Sequence, residues 1–385
     1  MPELKPQPRI LSIDALRGIT ILVMIFVNEL AGIRNIPQWA QHMKADADAM
    51  TFVDMVFPFF LFIVGMSVPF AVKNRQSKGD STAKILLHIG FRTLGLLVLG
   101  LFMVNAESGY NAEATGLRES LWTLLFYASV ILVWNVYKFE KPFIAYLLRG
   151  IGVVGLITLG WIYRDNEGNG MQVHWWGILG LIGWAYLFTS LIYLACKGHK
   201  AGVAIAIIAS MGFFILGRET DTWASGQTGH AIHTGIALCG LLLSLNYFDG
   251  KTKQPYFWAI VFAVLLAIAA YVLRPYYTIS KIWATPSWAL YSAASCCVLY
   301  TVVYWITDVK GYNRWTGFLR PAAANPLLTY IIPSILYALM YYFHFFLFPD
   351  AWRTGWLGAA YCAVFALAVM GLVKLLNKIG IRLQL

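Results

Sequence analysis

The chain has 385 residues and a formal net charge of +11 at pH 7, and 59% of its residues are hydrophobic while 12% are charged. A soluble chain of this length would form about two or three globular domains, but this composition is typical of a protein that lies in a lipid bilayer. The excess of positive charge is therefore explained first by the bias of lysine and arginine toward one side of a membrane, and nucleic acid is not expected as a partner.

Apolar segments long enough to cross a bilayer follow one another along the chain. We expect about twelve transmembrane helices, with ten or eleven as alternatives because several segments are short. The loops between them are too short for a soluble domain. The sequence therefore predicts an all-α polytopic membrane protein, with residues 1–385 forming a single helical bundle. The predicted spans are residues 10–31, 52–72, 85–105, 120–137, 142–163, 175–196, 201–217, 230–248, 256–273, 287–307, 324–348 and 355–374.

Basic residues are distributed unequally between the two sides that these spans define. If the N-terminus is cytoplasmic, eighteen lysines and arginines fall on that side, whereas the other side receives eight together with most of the acids. The positive-inside rule then predicts that both termini are cytoplasmic and that the number of helices is even. In this topology His42 faces outward.

A few charged residues lie inside or at the edges of the predicted spans, where charge is costly without a compensating role. Asp14 and Arg17 are three residues apart on one helical face. They are explained either by a helix start capped by Ser12 with a local ion pair, or by a guanidinium that holds a phosphate arriving from the cytoplasm. Arg92 and Arg149 lie toward the same side, where snorkelling to lipid phosphates is the alternative to a binding role.

Asp54 is the carboxylate of the second span, and it too has two interpretations. Thr51 and Asp54 have the spacing of a capping box, in which the acid satisfies free backbone N–H groups. Pro58 clashes with the carbonyl four residues earlier, which is that of Asp54, and predicts a distorted helix at this point. A cap and a catalytic role can coexist, and we favour a functional role for Asp54.

The N-terminal region resembles a known enzyme family. The run SIDALRGITILVMIFVN at residues 12–28, His42, and the run TFVDMVFPFFLFIVG at residues 51–65 resemble the heparan-alpha-glucosaminide N-acetyltransferase family. The resemblance is specific over residues 12–72. It is looser afterwards, in GILGLIGWAYL at 177–187 and ANPLLTY at 324–330.

The resemblance implies an enzyme that passes an acetyl group from cytosolic acetyl-CoA to the amine of a glucosamine-like sugar or glycan across the membrane. His42 occupies the place of the family's catalytic histidine, and Asn28 matches a Val-Asn pair at the end of the first helix. The interval MKADADAM at residues 43–50 is longer and more acidic than in the family, which leaves the acceptor open. We expect a multi-pass protein of the bacterial inner membrane.

The residue types fit this chemistry. A histidine assisted by Asp54 can act as the base that deprotonates an amine, or it can attack first and form an acetyl-imidazole, and the sequence leaves both routes open. A polyanionic donor such as acetyl-CoA also requires positively charged side chains at the cytoplasmic entrance of its binding site. The residues predicted to bind the donor are Asp14, Arg17, Arg92 and Arg320.

Other residues have weaker assignments. Trp175 and Trp176 are candidates for stacking on a sugar, although an interfacial aromatic belt explains most tryptophans. His230 and His233 are either acceptor-site groups, ordinary hydrogen-bonding histidines at a helix end, or two ligands of a metal site. The five cysteines lack the paired spacing of a zinc site, and no metal is expected.

Two other classes of protein remain open. A proton-coupled secondary transporter of a small solute would also use buried aspartate and histidine. A non-enzymatic membrane scaffold would leave the intramembrane charges unexplained. The oligomeric state is open as well, with a homodimer as one option.

Overall fold

The computed structural model describes residues 10–220, 223–346 and 349–385, and every regular element in these ranges is helical. Eleven of the helices are long and apolar enough to cross a membrane, and α5 is a further apolar helix of 16 residues. The predicted all-α polytopic architecture is confirmed. The α-helices are α1 Leu11–Leu30, α2 Phe52–Ser77, α3 Thr82–Glu107, α4 Ala112–Thr115, α5 Glu119–Trp134, α6 Pro142–Ile162, α7 Ile178–Ala195, α8 Lys200–Arg218, α9 Thr228–Phe248, α10 Pro255–Leu273, α11 Pro286–Tyr304, α12 Thr316–Ala324, α13 Pro326–Phe343 and α14 Gly355–Lys378.

Residues 347–348, at the end of the predicted span 324–348, lie outside the described residues. So do Lys5, Arg9 and Asp221, which were counted for the predicted topology. The orientation of the bundle in the membrane stays a prediction, as does its organisation as one domain.

Helix α1 does not begin as the sequence predicted. Its N-cap position is Ile10 and has no side-chain cap, and Ser12 lies within the first turn with its hydroxyl 3.1 Å from that of Tyr300. The free N–H groups of Leu11 and Ser12 donate instead to the carboxylate of Asp308, at 3.2 and 2.9 Å. The Ser12 cap was wrong because an acid 296 residues away supplies the acceptor.

Helices α2 and α9 form the centre of the bundle, and glycines let their backbones touch. A Cβ atom added to Gly65 on α2 would lie 1.7 Å from the carbonyl oxygen of Ala237, and one added to Gly240 on α9 would lie 2.0 Å from that of Phe62. Small residues allow such close approach between membrane helices, where dispersion contacts replace the hydrophobic effect. The contact with α9 therefore fixes the position of α2, the helix that carries Asp54.

Candidate active site

His42 and Asp54 meet at the start of α2. Nδ1 of His42 lies 2.7 Å from Oδ1 of Asp54, and the carboxylate is 1% exposed while the imidazole is 39% exposed. The other carboxylate oxygen accepts hydrogen bonds from the backbone N–H groups of Met43 and Thr51, at 3.2 and 3.1 Å. A buried carboxylate held by N–H donors can orient an imidazole, fix its tautomer and stabilise its protonated form.

The capping box predicted for Thr51 and Asp54 is confirmed. The Thr51 hydroxyl accepts from the N–H of Val53 at 3.2 Å, and the Asp54 carboxylate accepts from the N–H of Thr51. The Thr51 hydroxyl also donates to the carbonyl of Gln41 at 2.8 Å, which holds the chain next to His42. The same carboxylate therefore caps the helix and contacts the histidine, so the two interpretations of Asp54 describe one arrangement.

Helix α2 passes through Pro58 without ending, and it runs unbroken from Phe52 to Ser77. The indole N–H of Trp288 donates to the carbonyl of Asp54 at 3.3 Å, which supplies the partner that Pro58 cannot. His233, which is 6% exposed, contacts the ring of Trp288 edge-on at 6.0 Å and that of Phe57 at 5.4 Å. The rings of Trp288, His233 and Phe57 therefore pack in the core beneath the backbone of Asp54.

A cation that the sequence did not single out completes the site. Nζ of Lys281, in the loop between α10 and α11, lies 3.3 Å from Nδ1 and 3.5 Å from Nε2 of His42. Burial lowers the pKa of Lys281, and the charge of Asp54 opposes that shift. The imidazole of His42 therefore contacts both the carboxylate of Asp54 and the ammonium of Lys281.

The acidic interval at residues 43–50 brings Lys281 to His42. Both carboxylate oxygens of Asp48 accept from Nε of Arg274, at 3.1 and 2.9 Å, and one also accepts from the backbone N–H of Ile279 at 2.8 Å. The Ile279 N–H, together with the Arg274 guanidinium, lowers the pKa of Asp48. This pairing joins the loop that carries His42 to the loop that carries Lys281.

A cavity of about 550 Å³ lies beside His42, and it is here called the outer cavity because the predicted topology places it on the extracytoplasmic side. His42 lines it together with Arg34, Gln41, Val27 and Val53. Arg34 is fixed by its backbone, because its N–H donates to Arg353 at 3.1 Å and its carbonyl accepts from Gly355 at 2.8 Å. The cavity is large enough for a small polar acceptor beside the imidazole.

A second cavity, of about 280 Å³, is lined by two of the predicted donor-binding residues, Arg17 and Arg92. It is here called the inner cavity because the predicted topology places it on the cytoplasmic side. Arg17 pairs with Asp14 at 3.0 Å, as predicted, and also donates to the hydroxyl of Ser67 at 2.7 Å. The Arg92 guanidinium lies 4.7 Å from the ring centre of Tyr186, and its Nε is buried with no hydrogen-bond partner among the described residues. An unsatisfied buried donor beside a second guanidinium suits an anionic ligand.

A buried apolar cluster of Met24, Val27, Val53 and Val56, here called the septum, contributes residues to both cavities. Met24 lines the inner cavity and Val27 the outer one, and three residues of helix correspond to roughly 4.5 Å along α1. On α2, Asp54 and Ser67 are thirteen residues apart, or roughly 20 Å. Ser67, which contacts Arg17 of the inner cavity, is therefore well separated along α2 from the carboxylate that contacts His42.

Several predicted residues lie beside these cavities and do not line them. Asn28 is exposed at the end of α1, next to Val27. Arg320 is exposed on α12, whose residues Ala323 and Ala324 line the inner cavity. Arg149 lines a different groove, with Arg75. Asp14 is linked to the inner cavity by its ion pair with Arg17.

The predicted aromatic and histidine residues form a chain that leads toward Asp54. Trp175 contacts Trp184 at 5.9 Å, Trp184 contacts His230 at 6.0 Å, and His233 lies one turn further along α9. Trp176 is exposed. No group of three or more His, Cys, Asp or Glu side chains in residues 10–220, 223–346 and 349–385 is arranged to hold a metal ion.

Two functional candidates were missed by the sequence analysis. Lys281 was counted only as an outward-facing charge, and nothing in its local sequence connects it with His42, 239 residues earlier. Glu29 forms a short hydrogen bond with the hydroxyl of Tyr337, which lies 3.4 Å from that of Tyr361. Glu29 directly follows Asn28 in the last turn of α1, and a search for every acid within the predicted spans would have found it.

The fold and this site define a polytopic, all-helical membrane protein with a histidine–carboxylate pair at one end and a cationic cavity toward the other. A family model described as "Domain of unknown function (DUF5009)" matches residues 9–233, more than half of the chain, and the chain belongs to that family.

Curated relatives add a partial similarity. The chain is 33% identical over 98 residues to heparan-alpha-glucosaminide N-acetyltransferase of Homo sapiens, and 30% identical over 97 residues to the enzyme of the same name from Mus musculus. The aligned segments cover 26% and 25% of this chain and 14% of each relative. This similarity supports a distant link to the N-acetyltransferases.

Proposed function

We propose that this chain is a transmembrane acetyltransferase. It would take an acetyl group from acetyl-CoA at the cytoplasmic end of the bundle and transfer it to the amine of a glucosamine-like sugar on the opposite side. The observation that carries the proposal is the septum, because its residues line both the cationic cavity and the cavity beside His42, within about one helical turn of each other along α1. The partial similarity to N-acetyltransferases supports the type of reaction.

In this proposal the donor enters through the inner cavity. Arg17 and Arg92 bind its phosphate groups, with Asp14 orienting Arg17 and Arg320 attracting the polyanion near the mouth. A flexible thioester arm then extends toward the septum. The distance between Ser67 and Asp54, roughly 20 Å along α2, suits a ligand whose anionic groups and reacting carbonyl are well separated.

The chemistry takes place at His42. In direct transfer, the amine nitrogen attacks the carbonyl carbon and the C–N bond forms, while His42 removes the amine proton and the C–S electron pair leaves on sulfur. In the two-step route, His42 attacks first and the acetyl-imidazole then passes its acetyl group to the amine. Asp54 stabilises the charged imidazole in either case. Asn28, Trp175, Trp176, His230 and His233 are proposed to contact or position the acceptor.

A proton-coupled transporter is the second candidate. Alternating access also requires a cavity on each side of a thin barrier, and the septum would be that barrier. His42, Asp54 and Lys281 would then form the titratable group that couples proton and solute movement. This candidate predicts movement of an unmodified amine solute in the absence of acetyl-CoA.

Reconstituted vesicles can separate the two functions. We expect that labelled acetyl-CoA on the cytoplasmic face and glucosamine on the other give N-acetylated product on the glucosamine side, and that His42→Ala abolishes the product while acetyl-CoA still binds. His199→Ala, in the loop after α7, is the control and should retain activity. Uptake of unmodified glucosamine driven by a pH gradient, without acetylated product, would favour the transporter.

A further inference from the structure

Lys281 contacts both nitrogens of the His42 ring, at 3.3 and 3.5 Å. The contact with Nδ1 is electrostatic when that nitrogen carries the proton that it shares with Asp54, because an ammonium group has donors only. Nε2 then carries the free lone pair, and Lys281 lies beside the nitrogen that must take a proton or an acetyl group. Its position is therefore next to the reacting atoms.

The loop that carries Lys281 is tightly held. Ser280 and Thr285 are buried, and the Ser280 N–H donates to the Thr285 hydroxyl at 3.0 Å. The fully buried Ser287 hydroxyl donates to the carbonyl of Thr278 at 3.1 Å and also contacts that of Tyr277. These bonds, together with the Asp48–Arg274 pair, hold the backbone that carries Lys281 next to the loop of His42.

We propose that Lys281 is a catalytic residue whose ammonium stabilises the negative charge on the acyl oxygen during transfer. This inference rests on the proposed acetyltransferase function. When the nucleophile attacks, the carbonyl π pair moves onto oxygen, and the ammonium donates a hydrogen bond to that oxygen without giving up its proton. In direct transfer the pair then returns to re-form C=O as the C–S bond breaks, and the sulfur leaves as a thiolate that takes the proton which His42 removed from the amine. In the two-step route the thiolate leaves as the acetyl group bonds to His42.

One physical effect supports this role. A positively charged donor that is already beside a developing oxyanion stabilises the negative charge without rearrangement during the reaction. Other charged groups near the ring are Arg34, which lines the same cavity, and the Asp48–Arg274 pair.

The test compares Lys281→Gln and Lys281→Arg with Lys44→Gln, which removes an exposed positive charge from the loop that carries His42. Steady-state kinetics with acetyl-CoA and glucosamine give kcat and both KM values for each protein. We expect Lys281→Gln to lower kcat by about 10²–10³-fold with little change in either KM.

Lys281→Arg keeps the charge and should recover part of kcat, while Lys44→Gln should match the wild type in kcat. Lys281→Met, and thermal melting of every variant, control for misfolding. An active wild type with Lys281→Gln and Lys281→Met at wild-type kcat would overturn the role of Lys281 alone. A folded wild type that neither binds nor uses acetyl-CoA would overturn the proposed function and this inference with it.

Discussion

The indole N–H of Trp288 on α11 donates a 3.3 Å hydrogen bond to the backbone carbonyl of Asp54 on α2. In an uninterrupted helix this carbonyl would accept from the N–H of residue 58, but Pro58 has none. Trp288 is fully buried, so the helix defect and its compensation lie in the core beneath the carboxylate that contacts His42. The proline thereby frees a carbonyl that joins α2 to α11.

This relationship predicts coupling between Pro58 and Trp288. We expect Trp288→Phe to lower the free energy of unfolding by about 1–3 kcal/mol, because a buried carbonyl loses its partner. In a Pro58→Ala background the loss should be smaller, since the backbone N–H that alanine restores at this position can donate to the same carbonyl. Unfolding in detergent of the four proteins of this double-mutant cycle measures the coupling. Equal losses in both backgrounds would show that the hydrogen bond is energetically unimportant.

Asp54 is expected to matter more for turnover than for folding. Asp54→Asn can still accept backbone N–H groups through one oxygen, but it presents an uncharged group to Nδ1 of His42 and loses control of the tautomer. We expect kcat to fall by about 10²–10⁴-fold. Thermal stability should fall by an amount typical of a weakened helix cap, about 1 kcal/mol.

Thr51→Val is the matched control for Asp54→Asn. It removes the hydroxyl that caps Val53 and that donates to the carbonyl of Gln41, but it keeps both partners of the His42–Asp54 contact. It should lower stability by about 1 kcal/mol and change turnover per folded molecule far less than Asp54→Asn. If Asp54→Asn loses only stability and keeps normal turnover per folded molecule, Asp54 is a cap and nothing more.

The features that could be predicted from the sequence are those with a local signal. Hydropathy predicted the membrane-spanning helices, and the spacing of Thr51 and Asp54 predicted the capping box. The Asp14–Arg17 ion pair follows from the three-residue separation on a helix. The sequence did not establish that His42 would meet Asp54, because twelve residues of irregular chain have no fixed geometry, and the family resemblance was needed to suggest it.

The features that could not be predicted depend on packing between distant segments. Asp308 replaces Ser12 at the start of α1, Trp288 compensates Pro58, and Lys281 approaches His42 across 239 residues. Each is a side chain from α11, from the π-helical segment Trp305–Val309 that follows it or from the loop that precedes it. The groups that they contact are on α1, on α2 or in the loop that carries His42. Single-sequence patterns report what one helix needs, but they do not identify which neighbour supplies it.

Donor binding is expected to depend on the two arginines of the inner cavity. Arg17→Gln or Arg92→Gln should raise KM for acetyl-CoA by roughly tenfold, equivalent to about 1.4 kcal/mol, with a smaller effect on the acceptor KM. Arg92→Gln should have the larger effect, because Arg17 is also engaged by Asp14 and Ser67 whereas Arg92 Nε is unsatisfied in the described part of the chain.

Two other arginines are the controls for the donor site. Arg149 lies over Tyr137 in a separate groove, so Arg149→Gln should leave the donor KM unchanged. Arg320, exposed near the inner cavity, should show an intermediate effect that fades as salt is added, because long-range attraction is screened. Equal KM effects in Arg149→Gln and Arg92→Gln would argue against a donor site in the inner cavity.

The septum is expected to keep water from the thioester. Met24→Ala removes the side chain that faces the inner cavity and should raise the ratio of acetyl-CoA hydrolysis to acetyl transfer. Ile21→Ala, one turn earlier on α1 and equally buried, is the matched control, because Ile21 lines neither cavity. Both variants should lose about 2–5 kcal/mol of stability, but only Met24→Ala should uncouple the reaction. If Met24→Ala and Ile21→Ala have the same ratio of hydrolysis to transfer, Met24 has no role beyond packing in the core.

Sidedness is the prediction that tests topology and mechanism together. Lys44 and Lys78 are both exposed, the first in the loop that carries His42 and the second at the opposite end of α2. The positive-inside distribution predicts that a cysteine at position 44 is labelled from outside intact cells, and that one at position 78 is labelled only after the membrane is opened.

The background for this labelling is Cys196→Ser, because the other four native cysteines are buried. In the proposed mechanism acetyl-CoA reaches the bundle from the side of Lys78, and the amine arrives on the side of His42. Labelling of both positions from the same side would rule out transfer across the membrane. Labelling of position 78 alone from outside would reverse the orientation and place the cationic cavity where cytosolic acetyl-CoA has no access.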